Sequence, residues 1–301
     1  MPTEIPFRRE FSFEYGRLER LAPGIRRIVA RNPSPFTFRG TGTFVVGEGE
    51  VAVIDPGPDL EEHVAALLAG LAGERITHIL ITHTHRDHSP AAAAVKAATG
   101  AATYGFGPHA GGRRGEAAVE EGGDWDFSPD VIVSDGDAIS GAGWRFEAVH
   151  TPGHTSNHLC FALLDRGILF SGDHVMGWST SVISPPDGDM GAYMASLDKL
   201  LGRRDTMYWP THGPAITEPQ AHVRAFIAHR REREAGILEL LAAGDTQIDA
   251  IVGRLYVGLQ PGLRRAAGRS VHSHLLDLVA RGIAESDGPP TIDASYRRAP
   301  S

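Results

Sequence analysis

Thr82-His83-Thr84-His85-Arg86-Asp87-His88 follows directly on the apolar run His78-Ile79-Leu80-Ile81, and this junction decides how the chain reads. A short β-branched run that gives way abruptly to polar residues is the pattern of a buried strand and its tip. In extended or turning backbone, residues two apart point the same way, so His83 and His85 share a direction. Asp87 and His88 open the next helix on this reading and face a neighbouring position. Two metal sites can be seeded from these few residues. Imidazole nitrogens suit zinc, and a mixed set of imidazoles and carboxylates leaves a position for water, which marks catalytic rather than structural sites.

Each ion needs further ligands, and three more strand tips supply candidates. His150-Thr151-Pro152-Gly153-His154 follows the run ending at Val149, Ser171-Gly172-Asp173 follows Phe170, and Pro210-Thr211-His212-Gly213 follows Met207-Tyr208-Trp209. Gly and Pro beside each candidate fix the backbone and permit close approach. The chain has 15 histidines, and a lone one is more often a core or surface residue than a ligand. The signal lies in the order of the four motifs.

Strands are predicted at 43–46, 51–54, 78–81, 131–133, 145–149, 158–163 and 167–170, with helices over 59–71 and 89–99; Asp59 is placed to cap the first helix and Pro90 lies early in the second. The result is an α/β layered domain. The Gly-rich stretch 105–124, with Arg113, Arg114 and a run of Glu up to Glu121, reads as a surface insertion or a substrate lid. Beyond Glu218, helical patterns to Leu241, over 247–256 and over 264–281 suggest a helix-turn-helix-like or winged-helix module. Two domains are expected, 1–228 and 229–301.

With 301 residues, 42% apolar and 22% charged, the composition is that of an ordinary globular protein. The charged amino terminus lacks a signal-peptide core, no stretch approaches a membrane span, and the single cysteine, Cys160, fits a reducing compartment, so the expectation is a cytoplasmic protein without a membrane partner. A formal charge of −8 argues against coating nucleic acid. The charge is uneven: residues 229–301 hold 10 Lys/Arg against 9 Asp/Glu, and the rest 19 against 28.

The ordered motifs HxHxDH, PGH, GD and HG resemble those of the metallo-β-lactamase superfamily across residues 30–215. The resemblance implies a four-layer αββα sandwich. It further implies that His83, His85 and His154 bind one metal, that Asp87, His88 and His212 bind the other, and that Asp173 bridges them. The ions would be two Zn2+, with Mn2+ or Fe as alternatives. Asp55, in Val51-Ala52-Val53-Ile54-Asp55-Pro56-Gly57, matches an acidic position that supports the site from behind. His150, His158 and His174 flank the ligands and read as supporting or packing residues; Trp178, Tyr193 and Trp209 are aromatic candidates for the pocket or the core. The segments 32–41, 191–197 and 229–238 resemble the branch with a carboxy-terminal winged helix, which includes an animal mitochondrial single-strand endoribonuclease. Gly42 departs from that branch, which usually has Asn there.

The expected chemistry is hydrolysis by a hydroxide generated between the metals, with Asp87 as the catalytic residue orienting it. Asp173 replaces the Cys or Ser of true β-lactamases, His85 replaces the Glu of di-iron relatives, and only 39 positions separate Asp173 from His212, too few for the inserted domain of the larger nucleases. The leading expectation is a small-molecule partner: an ester, thioester, lactone or related substrate. The alternatives are an RNA phosphodiesterase, favoured by Arg254, Arg264, Arg265, Arg269 and Arg281 within 251–281, and a non-catalytic DNA-binding sensor. The terminal module is otherwise expected to shape the active-site wall or a homodimer interface.

Overall fold

The computed structural model describes residues 3–112 and 121–300. Two sheets face one another. The first runs in sequence order through β1 (Glu19–Ala22), β2 (Ile25–Val29), β3 (Gly42–Glu48), β4 (Glu50–Ile54), β5 (Arg75–Leu80), β6 (Ala102–Gly105) and β7 (Val131–Ile132), antiparallel as far as β4 and parallel thereafter. The second places β8 (Ala138–Gly141), β9 (Trp144–His150), β10 (Leu159–Leu163), β11 (Ile168–Gly172) and β12 (Met207–Pro210) side by side, with only the last pair parallel.

Between the sheets lies a core of Ile25, Phe44, Ile54, Leu80, Phe146, Phe161 and Phe170. Helices α1 (Glu61–Gly70) and α2 (Ala91–Thr99) cover the outer face of the first sheet over Val51, Val53, Ile79 and Ile81. Helices α3 (Met190–Leu201) and α4 (Pro219–Ala242) cover the second over Cys160, Leu169 and Tyr208. Both faces of each sheet are buried, so the strands read as continuous apolar runs: β10 is buried at every position. The αββα expectation is met.

Helix α4 has 24 residues and joins two cores. Val223, Phe226 and Ile227 belong to the packing against the second sheet, whereas Ile237, Leu240 and Leu241 pack with α5 (Ile248–Leu255) and α6 (Arg264–Ala280). The division expected at 228/229 therefore falls inside a continuous helix. An antiparallel pair, β13 (Ala284–Ser286) and β14 (Tyr296–Arg298), completes a terminal winged helix.

Two local expectations need correction. Asp59 does not cap α1: Leu60 holds the N-cap position, so Asp59 lies one residue too early for its carboxylate to reach the free amides. Asp87 and His88 do not begin a helix, because the amides of His88 and Ser89 both turn back to the His85 carbonyl and α2 starts only after Pro90. Strands β1, β2, β6 and β8 and helix α3 were not anticipated. In the stretch 105–124, Arg113, Arg114, Glu116 and Glu120 lie outside the described residues; the flanks are held by Ser34 on Glu121 and by an isolated bridge between His85 and Gly123.

Candidate metal centre

Every candidate ligand stands at the carboxyl-terminal tip of a strand or in the turn that follows it. His83 and His85 follow β5, Asp173 follows β11, His212 follows β12, and His154 lies in the turn between β9 and β10. Parallel β4, β5 and β6, and parallel β11 and β12, bring their tips to one edge of the sandwich, the position where ligand sites form in layered α/β folds.

The side chains converge. His83 Nε2 and His154 Nε2 each stand 3.1 Å from His85 Nδ1. Asp87 Oδ2 lies 3.1 Å from His212 Nε2 and 3.3 Å from His88 Nε2. Asp173 Oδ2 lies between the two groups, 3.3 Å from His212, 3.5 Å from His88 and 3.9 Å from His154. Among the described residues, His83, His85 and His154 form one cluster able to hold an ion, Asp87, His88 and His212 a second, and His83, His88 and Asp173 a third that links them.

These distances fit a metal. Four ligands at the 2.0–2.1 Å bonds usual for zinc would stand roughly 3.3–3.4 Å apart at tetrahedral corners. Asp173 Oδ1 and His88 Nε2 are moreover buried without a hydrogen bond, a costly state for polar atoms unless an ion completes them.

The candidate ligands are oriented by partners behind them. His88 Nδ1 contacts Asp55 Oδ2 at 2.9 Å, His212 Nδ1 the Gly40 carbonyl at 3.2 Å, and His154 Nδ1 the Val182 carbonyl at 2.6 Å. Asp55 sits at φ 47°, a left-handed conformation uncommon outside glycine, and is fully buried. Its carboxylate accepts the Thr82 amide at 2.8 Å and the Thr82 and Thr211 hydroxyls at 2.7 and 3.1 Å, joining the tips of β4, β5 and β12. Thr41 donates to Asp87 Oδ2 at 3.2 Å and is itself held through two bonds to Asn32. Gly42 donates its amide to the Thr211 carbonyl, and a Cβ there would come within 3.0 Å of that oxygen, which accounts locally for glycine at this position.

Of the three flanking histidines, His158 touches the centre, accepting the Asp173 amide on Nε2 at 3.2 Å and meeting Thr151 through Nδ1. His150 stands one step further out. Its ring stacks on Phe106 at 4.0 Å and bonds the Ser156 carbonyl, so it braces the Pro152–Ser156 turn and meets no ligand through these contacts. His174 packs on Tyr193, itself fully buried core. Trp209 packs against Phe44, whereas half-buried Trp178 stacks on Phe38 beside Gly213. Thr41, Thr82, Thr211, Asn32 and the carbonyls of Gly40 and Val182 were not foreseen.

Without metal, the cluster divides electrostatically. Burial pushes His83 and His85 well below the usual imidazole range, with neighbouring histidines adding to it, and burial also lowers His154. His88 and His212 are driven the other way: burial opposes protonation, but the surrounding Asp87, Asp173 and, for His88, Asp55 outweigh it, holding His88 well above its ordinary value and His212 at about 10. Asp87 and Asp173 fall below the carboxylate range despite burial, through the same two histidines. A raised histidine stabilises the fold below its unfolded pKa, and that stability is lost as pH rises to the folded value; a lowered one costs stability as pH falls below the unfolded value. The metal-free protein is therefore expected to be most stable near pH ~6.5 and to weaken on both sides, the alkaline loss running to about 10. Metal loading should displace the protons on His88 and His212 and remove the alkaline loss. Denaturant unfolding across pH 5–10, with and without metal, measures this.

Sandwich, strand-tip ligands and winged helix together define the class: the chain belongs to the metallo-beta-lactamase superfamily, whose model matches residues 37–212. The beta-lactamase associated winged helix domain matches residues 248–290. A beta-lactamase-like protein 2 homolog from Caenorhabditis elegans is 30% identical over 277 residues, covering 89% of this chain and 88% of that protein. An atrochrysone carboxyl ACP thioesterase from Claviceps purpurea is 29% identical over 224 residues, covering 73% and 66% respectively. Among solved structures, a beta-lactamase domain protein from Burkholderia ambifaria superposes with a TM-score of 0.80 at 19% identity, over 98% of this chain and 97% of that one. The chain is a metal-dependent hydrolase, and its clustered His and Asp side chains imply divalent metal ions. No helix among the described residues is long and apolar enough to cross a membrane.

Proposed function

We propose that the chain is a dinuclear zinc hydrolase of a small thioester, ester or lactone. His83, His85 and His154 would hold one ion and Asp87, His88 and His212 the other, with Asp173 reaching both groups of side chains. The convergence of these seven side chains, with donor atoms at zinc-like spacing, carries the reading. When bound, the two ions would acidify a water molecule and polarise the scissile bond.

The chain's own residues do the remaining work. Asp87 stands between His88 and His212, and its carboxylate accepts a hydrogen bond from the attacking water and orients it. Thr41 donates to one oxygen of that carboxylate and fixes its rotation. Asp55 holds the His88 ring, and burial of the cluster excludes bulk water and strengthens each of these contacts.

Relatives named as thioesterases favour the thioester. The arginines of 251–281 favour RNA less than their number suggests, because Arg254 is paired with Asp245, and Arg281 with Glu234 and Asp277. The test is turnover of thioesters, esters, lactones, simple phosphodiesters and single-stranded RNA by zinc-loaded protein, beside His83→Ala. Thioester or ester cleavage that disappears in the variant and under chelation supports the proposal. RNA cleavage that disappears in the variant, without turnover of the small substrates, overturns it in favour of a nuclease.

A further inference from the structure

Arg230 lies on α4, outside the metal cluster, and is 4% exposed. Among the described residues no carboxylate pairs with it. A buried guanidinium carries a large desolvation cost unless its protons are bonded, so the groups it bonds indicate what holds it there. One Nη donates to the Ser181 carbonyl, the other to Ser270 Oγ of α6 at 3.4 Å, and the guanidinium carbon stands 5.3 Å from the centre of the Tyr193 ring.

Ser181 belongs to the segment that supports the metal centre from below. Its hydroxyl lies 2.6 Å from the Asp173 carbonyl and 2.8 Å from the His174 carbonyl, and the Tyr193 hydroxyl donates to the same His174 carbonyl at 2.9 Å. The next residue, Val182, presents the carbonyl that orients His154. Residues 181–182 thus touch both Asp173 and His154, and Arg230 is the side chain that fastens residue 181 to the helices behind it.

We infer that Arg230 is a positioning residue through which α4 and α6 set the spacing of Asp173 and His154, so that the terminal helices tune metal binding. The inference rests on the metal centre proposed above but not on any substrate. Arg233, one turn along α4, supplies an internal control: it donates to the Leu255 carbonyl at the end of α5 and lies over Tyr256, with none of these contacts to the 181–182 segment.

The experiment compares zinc affinity, by chelator competition, with the unfolding midpoint of the metal-free protein in Arg230→Met, Arg230→Lys and Arg233→Met. Arg230→Met should lower zinc affinity by roughly 10–100-fold, the range for partners behind metal ligands. Arg230→Lys keeps one donor and should recover most of it, while Arg233→Met should lower the midpoint and leave affinity unchanged. Equal affinity in Arg230→Met and wild type, or an affinity loss in Arg233→Met that matches it, overturns the inference. Should Arg230→Met not fold, Arg230→Lys with a loss larger than that of Arg233→Met supports the inference, and a loss no larger overturns it. Failure of wild type to bind zinc at all would instead remove the metal centre itself.

Discussion

Replacing Asp87 with alanine is expected to lower turnover by roughly 10²–10⁴-fold, the usual contribution of a group that orients and deprotonates a nucleophile. The size follows from its surroundings. Oδ2 of Asp87 meets His88, His212 and Thr41 at 3.1–3.3 Å, so one truncation removes the orienting acceptor and strips a carboxylate from the second ligand group. Asp87→Asn should also be severely impaired, because the amide keeps the shape and loses the negative charge placed beside His88 and His212 and offered to the attacking water. Steady-state kinetics at saturating zinc, with metal content measured alongside, separate lost orientation from lost metal. Turnover within tenfold of wild type would remove Asp87 from the mechanism.

The largest effect on stability is expected at Asp55. Its buried carboxylate holds Thr82, Thr211 and His88 together, and breaking a buried ionic contact by deleting one partner costs about 3–5 kcal/mol. Asp55→Ala should lose that stability and bind the metal beside His88 roughly 10–100-fold more weakly. Asp55→Asn divides the two effects. Asparagine tolerates the left-handed backbone and can still accept the Thr82 amide, so it should retain more of the stability while losing the charge that holds His88. Denaturant unfolding and metal titration on the two variants measure the division.

Much of this architecture was legible because the motifs sit where apolar runs stop. His83, Asp173 and His212 each follow a buried strand closely, so the residues that end a strand also mark the site edge. Strand β2 escaped notice because Arg26 and Arg27 interrupt it; Arg27 is buried against Glu19 and Phe11, contacts that no local pattern reveals. The His85–Ser89 turn was mistaken for a helix start because acidic and polar residues before Pro90 imitate a cap. Least legible were Thr41, Thr211 and the Gly40 and Val182 carbonyls. A threonine hydroxyl or a backbone oxygen carries no sequence signature, and its role exists only once distant strand tips meet.

Metal stoichiometry tests the dinuclear site most directly. Zinc titration of the metal-free protein, followed by elemental analysis, should give two ions per chain in wild type, with hydrolytic turnover that vanishes under chelation and returns with zinc. Saturation at a single ion, or turnover that survives complete removal of metal, would contradict it.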